Sequence, residues 1–445
     1  MGLQRRADRD PCRAIRPDRS RRHRDRRHAD RDLRGRRHLH RRLRRRPPAG
    51  RPGGVHVRPC PGRRRHPAAA RGPAPDRPRS LGGEPDLHRA GDRTRPDRRP
   101  APGIARAAGV QAILLVGGLG TRLRPLTLTT PKQMLPVLHR PMIEHVVSGL
   151  ARHGVERVVL ALGYHDDAFR AAYPDGRCAG VDLCCVVEPE PLDTAGAIRF
   201  AYEASGMGSA PGTFLAANGD VITDLDVGAM LRLHRSSGAE ATIHLIEVED
   251  PSRFGVVVTD PDGLALAFVE KPQPPAPSSW INAGTYLMEP SVIGRIASER
   301  RVSVEREVFP AMVADGTLWA LRQNTYWVDA GTPQTYLQAQ LDLLDGRRGP
   351  AADGVSADAA VDPDAVVERS VVMAGAVVGA GSAVRGSAVH PGAVIEPGAQ
   401  VLDSVVGPGA TVGQGARVTA GTLIGESFAV EPGAALSGAR VPEAA

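Results

Sequence analysis

The chain has 445 residues, enough for two or three domains, and a formal charge of +9 that hides a split. Residues 1–100 carry 33 Arg, no Lys and 11 Asp+Glu, a net of +22, while the other 345 carry 25 basic and 38 acidic groups, a net of −13. The high isoelectric point belongs to one segment, which weakens any nucleic-acid-binding reading of the whole chain.

That first segment contains no Phe, Tyr or Trp and shows neither a helical nor a strand apolar period. Such a composition buries too little surface to offset its ordering entropy, so residues 1–109 are expected to form a disordered Arg/Pro-rich extension. It has no apolar core of a secretory signal and is too acidic and too poor in Ser for a transit peptide. The extension is expected to be dispensable, or absent from the native polypeptide through a start assigned too early. The competing reading is a polybasic interaction arm. No run approaches the ~18 apolar residues of a membrane span. Five cysteines (Cys12, Cys60, Cys178, Cys184, Cys185) form no C-x-x-C pair or metal spacing, which suits a cytoplasmic location.

Order is expected from Val110. Val110–Val116 is a short apolar run feeding Gly117-Gly118, a buried strand leading into a glycine-rich loop. Strand-like segments at 157–162, 181–187 and 213–217 then alternate with helix-like segments at 142–153, 166–172, 194–204 and 226–235. This alternation predicts an α/β fold, a Rossmann-like, mostly parallel sheet over 110–345. Further strands are expected at 242–248, 255–258, 265–269 and 281–287, and a closing helix at 333–344. Residues 346–360 read as a linker.

A repeat occupies 361–441. Aliphatic residues fall every six positions in three runs: Val366, Val372, Val378, Val384; Val389, Ile395, Val401; Val406, Val412, Val418, Ile424, Val430, Leu436. Five-residue steps join the runs. The period predicts a hexapeptide-repeat, left-handed parallel β-helix with about eighteen residues per coil and one inward aliphatic residue per side. His390 in this repeat is expected on the coil surface; an acyltransferase base is the alternative.

Only two lysines occur, Lys132 and Lys271, among 58 basic residues. In so Arg-biased a chain they mark positions where a compact ammonium serves and a planar guanidinium does not. Lys132 closes the segment Gly117-Gly118-Leu119-Gly120-Thr121-Arg122…Thr130-Pro131-Lys132. A glycine-rich turn after a strand lets backbone N–H groups approach phosphate. It is not a Walker loop, and Leu123 occupies the third glycine position of the dinucleotide fingerprint.

This segment resembles the signature of the sugar-1-phosphate nucleotidyltransferases. Further marks follow in that family's order: Thr194-Ala195-Gly196, Asn218-Gly219-Asp220, Phe254-Gly255-Val256, Glu270-Lys271-Pro272, Asn282-Ala283-Gly284 and Trp327–Thr332. Within the family, Leu126–Lys132 is most similar to the mannose-1-phosphate guanylyltransferases, and the resemblance covers about residues 110–441.

The resemblance implies an enzyme that transfers a nucleotidyl group from a nucleoside triphosphate to a sugar 1-phosphate, here GTP and mannose 1-phosphate giving GDP-mannose and pyrophosphate. Attacker and target are both anionic, so catalysis needs cations and alignment rather than a covalent nucleophile. Gly117, Gly118, Gly120 and Thr121 would cradle the triphosphate, and Arg122 would meet the leaving pyrophosphate. Lys132 would lie near the reacting phosphates and Lys271 on the sugar phosphate. Asp220 and Asp329 would hold magnesium (Mg²⁺). Gly255, Glu270 and Asn282 would receive the sugar, and Thr194 and Gly196 the base. The partners implied are these two substrates and further copies of the chain, joined through the β-helix, with no membrane.

Two departures keep alternatives open. The usual Leu-Gly-Thr before Ala-Gly is Leu192-Asp193-Thr194 here, and Gln133–Val137 with Arg140–Met142 leans toward the glucose-1-phosphate thymidylyltransferase pattern. A thymidylyl-, uridylyl- or adenylyltransferase acting on glucose 1-phosphate, or a catalytically silent regulatory subunit, are the competing readings.

Overall fold

The structure is a computed structural model and describes residues 109–443 apart from 164, 165 and 299. The expectations for residues 1–108 lie outside the described residues. The central sheet runs in the order Ala265–Glu270, Gly255–Thr259, Trp280–Met288, Phe214–Asn218, Ala112–Leu115, Arg157–Leu162, Val181–Val187, Arg177–Cys178. The Ala112–Leu115 strand is parallel to both its neighbours, and Trp280–Met288 joins antiparallel to Phe214–Asn218. The four central parallel strands are apolar runs because both faces are covered, one by Ile198, Ala201 and Tyr202, the other by Ile143, Val147 and Met230.

The chain leaves Ala112–Leu115 toward Arg157–Leu162 on one side and returns on the other as Phe214–Asn218. Loops after the first and last of these strands therefore diverge at a topological switch point, and a crevice opens between their carboxyl ends. Into it run Gly117–Lys132 and Gly219-Asp220.

The closing helix Pro333–Leu344 has the expected limits. Thr332 caps it, accepting from Thr335 N at 3.2 Å, and Pro333 stands at its first position. Strands Leu318–Arg322 and Trp327–Asp329 and a π-helical turn over Val304–Val308 were not expected. They are too short for a period to show. Arg348 anchors the segment after the helix, its Nε donating to Asp224 Oδ1 at 2.7 Å and an Nη to Thr223 O at 2.8 Å.

The repeat forms three sheets of five parallel strands each. Two details correct the sequence reading. Val366↔Ala383 and Ala383↔Gln400 pair at a spacing of seventeen residues, and the steps Val405↔Leu423, Thr411↔Ala429 and Arg417↔Ala435 span eighteen. One corner of each early coil is a residue short, and a left-handed residue recurs there: Arg369 (φ 43°), Gly386 (φ 56°) and Asp403 (φ 46°). The next corner positions hold Ser370, Ser387 and Ser404; the Ser370 hydroxyl accepts from Ser387 N at 3.0 Å and the Ser387 hydroxyl from Ser404 N at 3.1 Å, each one coil later. The buried N–H groups left by the tight corner are thus satisfied. The second correction is phase: Val366 faces solvent and Val367 packs inward, so the first run begins one residue late.

One β-helix face packs against the catalytic domain. Ala388, Val405 and Leu423 share a core with Leu123, Leu126, Val328, Ala330 and Tyr336. His390 is fully buried here, neither on the surface nor placed as an accessible base. The Tyr336 hydroxyl donates to Pro136 O and lies 3.0 Å from His390 Nε2. That assigns the proton to Nε2 and leaves Nδ1 an unpartnered acceptor.

Burial pulls His390, and likewise His145 and His244, down to about 4. Unfolded histidines titrate near ~6.5, so the unfolded chain binds more protons between that value and about 4. Stability should therefore fall with pH across this window. His390→Leu should reduce the slope of that loss by up to about one proton. Urea denaturation between these pH values checks this, and an unchanged slope would refute it.

Candidate active site

Antiparallel pairing sets two carboxylates side by side. Val221–Thr223 pairs with Trp327–Asp329 in the register Val221↔Asp329, and Ala330 N donates to Asp220 O at 3.0 Å. Asp220 is 8% exposed. Burial and the Asp220 charge raise the Asp329 pKa, while Lys132 and Arg122 pull it back. Lys132 Nζ forms an ion pair with Asp220 Oδ2. Gly331 is needed to close the group: a Cβ there would lie 2.7 Å from Asp329 Oδ1, 3.3 Å from Asp220 Oδ2 and 3.4 Å from an Arg122 Nη. Arg122, Lys132, Asp220 and Asp329 therefore converge on one point.

The glycine-rich turn explains how both cations reach it. Gly120 adopts φ 62°, and a Cβ would lie 3.2 Å from Lys132 Cβ. Only glycine fits both the left-handed backbone and the close return of the loop. Thr127 donates to Gly120 O at 2.8 Å and holds the loop shut. Gly118, Thr121 and Arg122 remain exposed toward the crevice.

A second group lies on the antiparallel strands. Gly255 pairs opposite Glu270, and Lys271 N donates to Phe254 O at 3.0 Å. Lys271 sits at φ 50°, unusual for a side chain with a Cβ, and its Nζ lies 3.4 Å from Glu270 Oε1. Asn282 donates to Tyr286 Oη at 2.9 Å and accepts from Gly284 N at 2.9 Å, so part of its amide is used within the strand. Phe254 packs edge-on to Trp327 at 5.8 Å, and Trp327 Nε1 donates to Ala283 O at 3.0 Å. These contacts fix the second group beside the Asp329 strand.

A third group surrounds the start of the Asp193–Ala204 helix. Asp193 has φ 64°, which accounts for the departure noted at this position: aspartate is among the side chains that tolerate the left-handed region where relatives place glycine. Thr194 and Gly196 are largely engaged within the fold. Thr194 Oγ1 donates to Glu305 Oε2 at 2.8 Å and accepts from Val304 N at 2.9 Å; Gly196 N donates to Val302 O at 3.2 Å.

Two residues of this group escaped the sequence reading. Glu188 is 7% exposed, accepts from Leu192 N at 2.9 Å, and an oxygen would lie 3.3 Å from a Cβ on Gly117. Burial and the Asp193 charge raise its pKa. Glu305 ties the helix to the π-helical turn through Thr194 and Ser303. For Glu188 a signal existed: it directly follows a buried parallel strand on the crevice side.

Among the described residues no group of three or more His, Cys, Asp or Glu side chains is arranged to hold a metal ion. The Asp220–Asp329 pair offers two hard oxygen ligands that repel each other until a cation intervenes. That donor set suits Mg²⁺, which is commonly held by one or two carboxylates plus substrate phosphates. Among the described residues no helix is long and apolar enough to cross a membrane.

Comparison with known proteins agrees with this geometry. The nucleotidyl transferase family model matches residues 111–346, and the GMPPB C-terminal domain model matches 353–443. The mannose-1-phosphate guanylyltransferase of Mycobacterium tuberculosis is 42% identical over 267 residues, covering 58% of this chain and 73% of that protein. The catalytic subunit beta of the Danio rerio enzyme is 38% identical, covering 58% and 73%. The Schizosaccharomyces pombe mannose-1-phosphate guanyltransferase is 38% identical, covering 59% and 74%. With a family model spanning more than half its length and its signature loop folded around a paired-carboxylate site, this chain belongs to the nucleotidyl transferase family.

Proposed function

We propose that the protein is a mannose-1-phosphate guanylyltransferase, joining GTP and mannose 1-phosphate to give GDP-mannose and pyrophosphate. The observation that carries this reading is the convergence of Lys132 and Arg122 on the Asp220–Asp329 pair beside the glycine-rich turn. A phosphate oxygen of the sugar phosphate attacks the α-phosphorus of the triphosphate as the bond to the β-phosphate breaks. The charge that moves onto pyrophosphate falls beside Gly118, Thr121 and Arg122. Lys132 offsets the repulsion between the two anions, and Lys271 receives the sugar phosphate with Glu270, Asn282 and Gly255 around the hydroxyls. Asp220 and Asp329 would hold Mg²⁺, which when bound neutralises phosphate oxygens and makes the α-phosphorus more electrophilic.

Glu188 supports guanine. An ionised carboxylate only accepts, and the guanine edge presents N1–H and N2–H donors side by side, which the other bases lack. GTP with mannose 1-phosphate should therefore exceed other triphosphates and glucose 1-phosphate in a substrate panel read by pyrophosphate release. Glu188→Gln should cost about 10- to 100-fold in kcat/KM for GTP. Lys271→Arg should raise KM for the sugar phosphate and leave that for GTP near its starting value, because a forked guanidinium does not replace a point charge. Preference for UTP, dTTP or ATP would reject the guanylyl assignment, and unchanged kinetics in either variant would reject its role.

Asp329 supplies an independent test. Its carboxylate is more readily protonated folded than unfolded, so its contribution turns unfavourable as pH rises from the unfolded to the higher folded pKa. Without divalent ion at neutral pH, Asp329→Asn should melt higher than the wild type while turnover falls by orders of magnitude. A lower melting temperature, or full turnover in chelator, would contradict the shared-cation site.

The β-helix is also proposed to join copies of the chain. One face packs on the catalytic domain and another carries Glu368, Arg385 and Arg417. The third presents an uncharged outward row, Ala360, Val377, Val394, Thr411 and Ala429, with Val377 40% exposed. Such a flat row suits isologous pairing. Sedimentation should find an assembly larger than a monomer that splits with Val377→Lys and Val394→Glu; a monomeric wild type would overturn this.

A further inference from the structure

The loop bearing Arg122 and Lys132 has little structure of its own. Between its 3₁₀ turns at Thr121–Leu123 and Lys132–Met134, its backbone bonds are local, Leu126 N to Leu123 O and Leu128 N to Pro125 O. Among the described residues no strand pairs with it. Yet Leu123 and Leu126 are 0% and 2% exposed, and they pack with Ala388, Val405 and Leu423 of the β-helix.

Gly425 lies directly against the loop. A Cβ there would lie 3.0 Å from Pro125 Cβ and 3.1 Å from both Pro125 Cγ and Pro442 Cδ. Its counterpart one coil earlier, Gly407, would instead meet its own β-helix, at Ile424 O, 2.5 Å away. At the adjacent position the Thr129 hydroxyl donates to the Glu426 carboxylate. Gly425 has no left-handed backbone that would by itself demand glycine, so the demand comes from the loop resting on it together with Pro442 of its own β-helix.

We propose that Leu423, Gly425 and Glu426 of the β-helix are positioning residues for the 120–132 loop, holding Arg122 and Lys132 at the distance from Asp220 and Asp329 that phosphoryl transfer requires. This inference rests on the transferase reading above. The coil supplies a rigid floor that the loop lacks, and the reacting geometry tolerates small displacements poorly. The β-helix is thereby part of the reaction apparatus as well as an assembly module.

The test uses the full chain. Gly425→Val should lower kcat by about tenfold or more, and Glu426→Ala by about threefold, with both KM values little changed. Glu426→Gln keeps an acceptor oxygen for Thr129 and should restore turnover. Thr129→Val should add nothing to Glu426→Ala, because both remove one bond. Arg385→Ala, on another β-helix face, is the control and should turn over normally. Hydrogen exchange of the 120–132 amides gives a readout apart from turnover, and should quicken in Gly425→Val and Glu426→Ala only. Wild-type kcat and exchange in both variants would overturn the inference, as would equal losses in the control. A wild-type chain inactive on GTP and mannose 1-phosphate would reject the transferase reading alone, with exchange still deciding the positioning role.

Discussion

The apposition of Asp220 and Asp329 is the constraint around which the catalytic domain is arranged. Two like charges brought together at the end of an antiparallel ribbon, Asp329 opposite Val221 and Asp220 next to it, are unfavourable, more so when buried. The ribbon register fixes that proximity, and the raised Asp329 pKa is its electrostatic signature. Only nearby positive charge makes it tolerable. Lys132 supplies part from a loop that begins after a different strand, and Arg122 supplies more from the same loop.

This arrangement ties local geometry to topology. The switch point beside Ala112–Leu115 lets the glycine-rich turn and the Gly219-Asp220 turn enter the crevice from adjacent strands. Gly120 and Gly331 then remove the bulk that would hold the cations and carboxylates apart. The antiparallel strands on one side and the Asp193–Ala204 helix on the other complete two further walls. The Phe254–Trp327 contact and the hydrogen bond from Trp327 to Ala283 keep the first of these in step with Asp329. The Gly255–Lys271 group and the Asp220–Asp329 pair are thereby linked through packing rather than through charge.

Much of this was legible in the sequence, for reasons that differ by element. Parallel strands showed as apolar runs, and the helix at 333–344 showed through Thr332-Pro333 and its apolar period. The paired aspartates were reached through motif resemblance, since nothing in local sequence says that residues more than a hundred positions apart share a ribbon. Glu188 and Glu305 were missed because their significance lies in what folds over them. The β-helix pattern was read a residue too long per coil, because Arg369 and Asp403 take a left-handed corner that no glycine announces. His390 was misplaced for a related reason: a repeat fixes which side chains face inward, but the catalytic helix bearing Tyr336 decides which outward ones are buried.

The two lysines show how composition and structure constrain each other. In a chain otherwise committed to arginine, Lys132 has its Cβ packed against Gly120 and its ammonium paired with Asp220. Lys271 is different: its side chain is 60% exposed and among the described residues it pairs with Glu270 alone, yet its backbone is held in the left-handed region at φ 50°. Strain of that kind persists only where the surrounding structure overdetermines it, and it gathers at functional sites. The antiparallel pairing of Gly255 with Glu270 and the bond from Lys271 N to Phe254 O fix the turn, so the ammonium leaves the sheet in a set direction. One lysine is thus positioned by charge and close packing, the other by backbone geometry. That division matches a reaction in which one phosphate is bound at the end of a flexible triphosphate and the other arrives on a rigid sugar.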